Sequence, residues 1–180
     1  MKKEKITVFC GSADGSDPIY TQAALELGQA LAQQGRSLIY GAGNRGLMGS
    51  VARSAAEHGG HVTGVNMTRF QNPQYQMPVN ENIMTETIQE RKLQMIQMCD
   101  ACIALPGGIG TMDEIFEVLS MLQLGLTTHP IGLLNVNGFY DVFVQLTEQL
   151  KATGFLKEKY AHIIIVRDTV QELLDALDAV

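Results

Sequence analysis

The 180-residue sequence lacks long apolar runs and clusters of basic residues, and each absence excludes a class of function. No apolar run approaches the roughly 18 residues that a membrane-spanning helix needs. Basic residues do not cluster beyond Lys2-Lys3-Glu4-Lys5, and the formal net charge is −6. This charge argues against a nucleic-acid phosphate backbone as the main partner. A small phosphorylated ligand stays possible, because it needs only a few local donors.

Cysteine and histidine are also scarce. Cys10, Cys99 and Cys102 form an odd set that fits no secreted disulfide framework. The apolar part of the N-terminus is too short for a signal peptide, so we expect a cytoplasmic protein. The pair Cys99-x-x-Cys102 falls where a helix ends, whereas redox pairs of this kind begin a helix. A redox role is therefore the minor interpretation, and the four histidines form no ligand set, so we expect no metal.

Length and composition predict a single domain over residues 1–180. Short β-branched or apolar runs alternate with helical patterns along the whole chain. The predicted strands are 6–10, 37–40, 61–65, 82–85, 101–105, 131–135 and 163–166. The predicted helices are 18–34, 47–57, 87–98, 111–124, 139–151 and 169–177, with a loop over 66–80. This alternation predicts an α/β fold with a doubly wound parallel sheet, whose ligands bind beyond the carboxyl ends of the strands.

The most informative segment joins a predicted strand to a predicted helix through the turn Pro106-Gly107-Gly108-Ile109-Gly110-Thr111. Glycine lacks a Cβ, so a ligand can approach the backbone closely. The free N–H groups and the positive dipole end of the following helix favour an anion. We therefore predict that the turn from Gly107 to Thr111 binds a phosphate group.

An acid pair, Asp113 and Glu114, lies in the first turn of this helix. Carboxylates repel a bound phosphate, so their position suggests chemistry just beyond the phosphate. A structural interpretation competes with this one. Thr111-x-x-Glu114 fits a capping box, in which the Glu114 side chain reaches back to the helix N-terminus. The local pattern is compatible with both.

A second glycine-rich turn, Gly41-x-Gly43-x-x-Gly46, matches the dinucleotide-binding pattern between a strand and a helix. It belongs to the second strand–helix unit, however, and Asn66 stands where an NAD site would favour an acid. A mononucleotide phosphate or ribose near Gly43 is the more natural ligand. An NAD-dependent oxidoreductase is the weaker alternative.

Two basic residues, Arg91 and Lys92, lie inside the helix before the glycine-rich turn of residues 107–111. They can form part of a solvated helix face. Alternatively, Arg91 presents its planar guanidinium to a phosphate or ribose, with Lys92 close behind. Spacing alone does not decide between these interpretations.

Taken together, these segments resemble the Lonely Guy family, once labelled lysine decarboxylase-like, of cytokinin nucleoside monophosphate phosphoribohydrolases. The resemblance runs from about Ile6 to the helix that starts at Phe139. The matching motifs are Cys10-Gly11-Ser12, Tyr40-Gly41-Ala42-Gly43, Gly46-Leu47-Met48-Gly49, Arg91-Lys92, Pro106-Gly107-Gly108-x-Gly110-Thr111-x-x-Glu114, Gln123-Leu124-Gly125 and Pro130-x-Gly132-Leu133-Leu134-Asn135.

The resemblance implies a Rossmann-like fold, a homodimer, and no metal or organic cofactor. It also implies hydrolysis of the N-glycosidic bond of N6-modified adenosine 5′-monophosphates, and often of AMP, to free base and ribose 5-phosphate. Arg91 and Glu114 match the family's catalytic pair. Its substrate-binding positions match Lys92, Gly107, Gly108, Ile109, Gly110, Thr111 and Asp113, and Ser120 replaces a threonine of the family.

This chemistry agrees with the residue types. Cleavage of a ribosyl C–N bond builds positive charge on the sugar, as in glycosidases. A carboxylate such as Glu114 stabilises that charge or activates the attacking water. The main alternative from another class is a non-catalytic nucleotide sensor, which would need neither Arg91 nor Glu114. Pyridoxal-dependent decarboxylation has little support, because no lysine stands out at a strand end to hold the cofactor.

The sequence also departs from the family pattern at three places. Ile88-Gln89-Glu90 replaces a Met-His-containing segment, and Ala42 interrupts a three-glycine turn. Met121 replaces a tryptophan, which leaves the preferred base open. Methionine is flexible and suits both an adaptable pocket and ordinary core packing.

Overall fold

A computed structural model describes residues 1–70, 77, 79–157, 160 and 163–180 of the chain. Strands and helices alternate along it. The strands are β1 (Lys5–Phe9), β2 (Ser37–Tyr40), β3 (Val62–Met67), β4 (Glu81–Thr85), β5 (Ala101–Ala104), β6 (Ile131–Leu134) and β7 (Ile164–Arg167). The helices are α1 (Pro18–Gln33), α2 (Gly46–Glu57), α3 (Ile88–Gln97), α4 (Ile109–Leu124), α5 (Asp141–Ala152) and α6 (Val170–Asp178).

The seven strands form one parallel sheet in the order β4-β3-β2-β1-β5-β6-β7. The chain winds outward from β1 to β4 and then returns to the other side of β1 with β5. Val8 of β1 pairs with Tyr40 of β2 on one side and with Ile103 of β5 on the other. This reversal at β1 is a topological switch point, where open parallel sheets bind ligands beyond the strand ends. The predicted α/β, Rossmann-like fold is confirmed.

Two apolar cores cover the two faces of the sheet. Helices α1, α2 and α6 pack on one face through buried side chains that include Leu27, Val51 and Leu173. Helices α3, α4 and α5 pack on the other face, where Met95 and Ile115 are fully buried. Strands covered on both faces explain the continuous apolar runs in the sequence.

The helix starts show where local sequence patterns succeed and fail. The capping box of Thr87 and Glu90 at the start of α3 is present. The one suggested for Thr111 and Glu114 is wrong, because α4 begins at Ile109 and Gly108 is its N-cap. The helix begins two residues before its predicted start, because glycine is a weak sequence signal for an N-cap.

Other element ends differ by a few residues. The third strand extends to Met67 and is followed by a 3-10 turn at Thr68–Phe70, so the predicted loop starts later than residue 66. Residues 71–76 and 78 of that loop lie outside the described residues. Helix α5 starts at Asp141 rather than at residue 139, because a 3-10 turn at Val136–Gly138 precedes it. In the part of the chain that the structure describes, no helix has the length and apolarity needed to cross a membrane.

The two chain termini meet at the amino ends of the strands, opposite the switch-point edge. Buried Arg36 forms a bidentate ion pair with Asp178 of α6, with distances of 2.9 and 2.7 Å. The Lys3 N–H donates to Asp178 Oδ1, and the Met1 ammonium donates to the Asp178 carbonyl oxygen. These contacts attach α6 and the first strand to the same arginine.

Candidate active site

A cleft of about 250 Å³ opens at the carboxyl ends of the central strands, where the topology reverses. Three turns converge on it, those that follow β1, β2 and β5. The glycine-containing turns thus lie together at the edge of the sheet where a parallel α/β fold binds its ligands. The cleft is lined by Cys10, Gly11, Ser12, Gly41, Met48, Arg91, Met95, Gly108, Ile109, Gly110, Thr111 and Glu114, among others.

The turn after β5 approaches the turn after β1 through backbone alone. The Gly11 N–H donates to the Pro106 carbonyl oxygen at 3.0 Å. A Cβ on Gly107 would overlap Thr111 Oγ1 and lie 2.9 Å from Gly11 N, so only glycine fits there. Gly108 and Gly110 face open space, which leaves the first N–H groups of α4 accessible from the cleft. These are the donors that a phosphate group needs.

Arg91 of α3 reaches the cleft and is not part of a solvated helix face. Its Nε donates to the Val65 carbonyl oxygen and its Nη2 to the Gly41 carbonyl oxygen, both at 2.9 Å. Its Nη1 lies 3.7 Å from Glu114 Oε1, and both side chains are mostly buried. The structure therefore brings the two predicted catalytic residues together, from helices on neighbouring parts of one sheet face.

The surroundings of Glu114 raise the pKa of its carboxyl group to near neutral pH. Burial raises the pKa of Glu114 to about 7, against the opposing effect of the Arg91 cation, while the nearby charge of Asp113 raises it further. Burial also lowers the pKa of Arg91, and the charge of Glu114 opposes that shift. A carboxyl group that titrates near pH 7 can exchange protons during a reaction at physiological pH.

Lys92 forms ion pairs with two carboxylates of α4. Its buried ammonium lies 2.9 Å from Asp113 Oδ2 and 2.9 Å from Glu117 Oε2. Burial lowers the pKa of Lys92, but hydrogen bonds to Asp113 and Glu117 outweigh this effect and leave the pKa above its ordinary value. Sequence reasoning missed Glu117, although its i,i+4 spacing from Asp113 places both on one face of α4. Binding of substrate by Lys92 or Asp113 stays a prediction.

Two further predicted residues lie away from the cleft. Ser120 is exposed and lines a separate apolar groove between α4 and α5, beside Phe116 and Thr147. Gly43 is in the turn before α2, where a Cβ would meet the flexible Met48 Cε at 2.7 Å. Contact of either residue with a substrate stays a prediction. Sequence reasoning placed Gly41 in a nucleotide-binding turn but missed that its carbonyl oxygen accepts a hydrogen bond from Arg91.

The paired cysteines are placed as expected, at the end of α3 and in β5. Their Sγ atoms are 3.6 Å apart and both thiols are buried. Among the described residues, no group of three His, Cys, Asp or Glu side chains could hold a metal ion. One of the four histidines, His162, lies outside the described residues.

A larger cavity, of about 620 Å³, lies beyond the ends of β6 and β7. Among the described residues, its lining includes the acidic side chains of Glu26, Asp141 and Asp168 and no lysine or arginine. Such a lining repels a phosphate group, so the smaller cleft is the better candidate for a nucleotide.

Comparison with known proteins agrees with this choice. The family model described as "possible lysine decarboxylase" matches residues 48–177. The chain is 42% identical over 175 residues to the cytokinin riboside 5′-monophosphate phosphoribohydrolase LOG of Oryza sativa subsp. japonica, covering 97% of this chain and 72% of that protein. It is 37% identical over 177 residues to the phosphoribohydrolase LOG5 of Arabidopsis thaliana, covering 98% of this chain and 78% of that one.

Among solved structures, the molybdenum cofactor binding protein of Rippkaea orientalis has the same fold, with a TM-score of 0.75. The alignment covers 99% of this chain and 98% of that one at 22% identity. A likeness at this identity establishes the architecture and carries no statement about the ligand.

Proposed function

Because this chain belongs to the lysine decarboxylase-like family that includes the cytokinin riboside 5′-monophosphate phosphoribohydrolases, we propose that it is a phosphoribohydrolase. Its substrates are adenosine 5′-monophosphates, with or without an N6 substituent such as the cytokinin side chain. The reaction breaks the N-glycosidic bond with water and gives the free base and ribose 5-phosphate.

One observation carries this proposal, namely that Glu114 and Arg91 share a cleft with the exposed N-terminus of α4. A phosphate at the N–H groups of Gly108 to Thr111 would fix the ribose close to the Glu114 carboxyl group. A buried carboxylate this close to the phosphate site repels the phosphate, which weakens binding of the nucleotide unless the carboxylate takes part in a reaction. The carboxylate therefore favours an enzyme over a sensor.

The mechanism follows from the charge that develops during bond cleavage. As the C1′–N bond breaks, its electron pair leaves with the base and positive charge builds on the ribose. The Glu114 carboxylate stabilises this charge or takes a proton from the water that attacks C1′. The departing base gains a proton, so that one water molecule is divided between ribose 5-phosphate and the free base. Arg91 orients Glu114. Two backbone carbonyl oxygens hold its Nε and Nη2 atoms, and its Nη1 group is bound to neither of them. None of these steps uses a metal or an organic cofactor.

The experiment that tests this function incubates purified protein with AMP and with isopentenyladenosine 5′-monophosphate, and measures free base and ribose 5-phosphate. Glu114→Gln and Arg91→Ala are expected to lose about 10²–10⁴-fold in rate, the usual range for a positioned acid–base group. Glu57→Gln, which changes an exposed carboxylate of α2, serves as the matched control and retains the wild-type rate. Nucleotide binding without base release by the wild type would favour the sensor instead.

We also propose that the protein is a homodimer that acts in the cytoplasm on small nucleotides. Apolar side chains on α3 and α4 remain exposed, with Leu93 and Phe116 each 43% exposed and Leu124 70% exposed. A second copy of the chain would cover such a face.

Light scattering coupled to size-exclusion chromatography tests this assembly. The wild type is expected at twice the mass of one chain and Leu124→Glu at the mass of one chain. Val142→Glu alters a side chain of α5 that is 73% exposed and leaves the mass unchanged. A monomeric wild type at micromolar concentration would overturn the dimer.

A further inference from the structure

Gly41 lies directly after β2, in the turn that resembles a phosphate-binding motif, but its nearest neighbour is a protein side chain. A Cβ built on Gly41 would overlap Arg91 Nη2 and lie 3.1 Å from Arg91 Cζ. The other atom near it, Met48 Sδ at 3.2 Å, belongs to a flexible side chain that can move aside. The guanidinium of Arg91 therefore occupies the space that any other residue at position 41 would need.

The same glycine also holds Arg91 through its backbone. The Gly41 carbonyl accepts from Nη2, and the Val65 carbonyl, from the neighbouring strand β3, accepts from Nε. The backbone of β3 and the residue after β2 thus fix the plane of the guanidinium. The remaining nitrogen, Nη1, faces Glu114 at 3.7 Å, which is too long for a hydrogen bond. Its hydrogens are left available to a substrate oxygen.

We propose that Gly41 is a positioning residue of the active site, which holds Arg91 in the orientation that faces Glu114 and the substrate. Both its missing side chain and its carbonyl oxygen are needed for this role. The inference rests on the proposed hydrolase function and adds a residue that acts through Arg91. It differs from the ordinary interpretation of the motif, in which such a glycine makes room for the phosphate itself.

A double-mutant cycle separates these two roles. Gly41→Ala displaces the guanidinium, and a misplacement of about 1 Å can cost about 100-fold in rate. We expect Gly41→Ala to lower kcat by at least about tenfold while KM changes less. In an Arg91→Ala background the same substitution is expected to change kcat by less than about twofold, because the residue through which it acts is gone. Equal losses in both backgrounds would show that Gly41 acts independently of Arg91 and would overturn the proposal.

The matched control is Ala42→Gly in the same turn. Ala42 has a φ of 58°, which glycine adopts without strain. The substitution leaves the space around Arg91 unchanged, so we expect kcat to stay within about twofold of wild type. A loss as large as that of Gly41→Ala would show that the effect is not specific to position 41 and would overturn the proposal.

A readout other than activity distinguishes failure of this inference from failure of the proposed function. Carbon-13 NMR of the Glu114 carboxyl group reports its pKa, which the Arg91 cation lowers. Glu114 also interacts electrostatically with Lys92, Asp113, Cys10, Cys102 and Tyr140. The atoms nearest a Cβ on Gly41 belong to none of these residues but to Arg91 and Met48. The Glu114 pKa should therefore rise in Gly41→Ala and stay unchanged in Ala42→Gly. An unchanged value in Gly41→Ala would overturn the proposal even if the wild type hydrolyses nothing.

Folding of the variants gives the last check, by circular dichroism and thermal unfolding. If Gly41→Ala alone folds poorly, the proposal expects Gly41→Ala/Arg91→Ala to fold better, since the clash is removed. A double variant that is no more stable than the single one would count against the steric argument.

Discussion

Tyr140 donates a hydrogen bond of 2.7 Å from its hydroxyl group to the carbonyl oxygen of Leu105, and both residues are fully buried. Leu105 directly precedes the turn that begins at Pro106. Tyr140→Phe removes the donor and leaves a buried carbonyl oxygen without a partner, which costs about 1–3 kcal/mol. We expect the free energy of unfolding in urea to fall by that amount.

Tyr40 is the matched control for this prediction. It is equally buried, but its hydroxyl group has no hydrogen-bond partner in the described part of the structure. Tyr40→Phe removes an unpaired polar group and is expected to leave stability unchanged or to raise it slightly. The two substitutions delete the same atom, so equal destabilisation by both would contradict the role of the Leu105 contact.

The raised pKa of Glu114 predicts the pH dependence of the reaction. Since burial raises this pKa to about 7, the carboxylate form becomes abundant only above neutral pH. If that form is the reactive one, kcat/KM rises with pH and reaches half of its plateau near pH 7. The Glu114→Gln variant should lose most of the activity, and its remaining kcat/KM should no longer rise with pH around pH 7. A profile that falls through pH 7 would show instead that the protonated carboxyl group is required.

Thermal or urea unfolding checks the same group independently. A carboxyl group whose folded pKa exceeds its unfolded value binds its proton more tightly in the folded state. The contribution of Glu114 to the free energy of unfolding therefore falls as the pH rises from about 4.5 to about 7. The stability of Glu114→Gln relative to wild type should increase over that window and level off above it. A constant difference across the window would mean that the Glu114 pKa is not raised.

Lys92 is expected to matter for stability through its contacts with α4. Lys92→Met removes the buried ammonium and leaves Asp113 and Glu117 facing each other without a cation. Hydrogen bonds to charged groups contribute about 1.5–3 kcal/mol each, and the partial exposure of both carboxylates places the loss at the lower end. Lys157→Met, at an exposed position, is the control and should cost little in urea unfolding. A similarly small effect of Lys92→Met would show that the ion pairs are unimportant.

The contact between Arg36 and Asp178 predicts a stability change at low pH. The hydrogen bond from Arg36 holds the pKa of Asp178 below its usual value of 3.8. A group whose pKa is lower in the folded than in the unfolded state stabilises the protein fully at pH values above its unfolded pKa. This stabilisation is lost as the pH falls through the folded pKa. Asp178→Asn should therefore be less stable than wild type at pH 7, with the gap closing below about pH 4. Asp175→Asn, on the exposed side of α6, should show no such gap.

The parallel sheet could be predicted from the sequence, whereas the side-chain contacts of the candidate active site could not. Strands such as β5 are short apolar runs bounded by turns, and this pattern is local. The partners of Arg91 are distant in sequence, with the Val65 and Gly41 carbonyls 26 and 50 residues away. No periodicity reports such contacts. The family resemblance predicted that Arg91 and Glu114 act together. The contact of Arg91 with Gly41 and the ion pairs of Lys92 with two carboxylates depend on how the helices pack, and only the three-dimensional structure shows them.

The meeting of the two termini has a practical consequence for protein engineering. Because the Met1 ammonium donates to the Asp178 carbonyl oxygen at 2.7 Å, a short glycine-rich linker could join residues 1 and 180. New ends could then be opened elsewhere, as in other circular permutants. The joined segment lies at the amino ends of the strands, so fusion partners attached to residue 1 or residue 180 would project away from the cleft. Reporter proteins placed there should leave nucleotide access unobstructed.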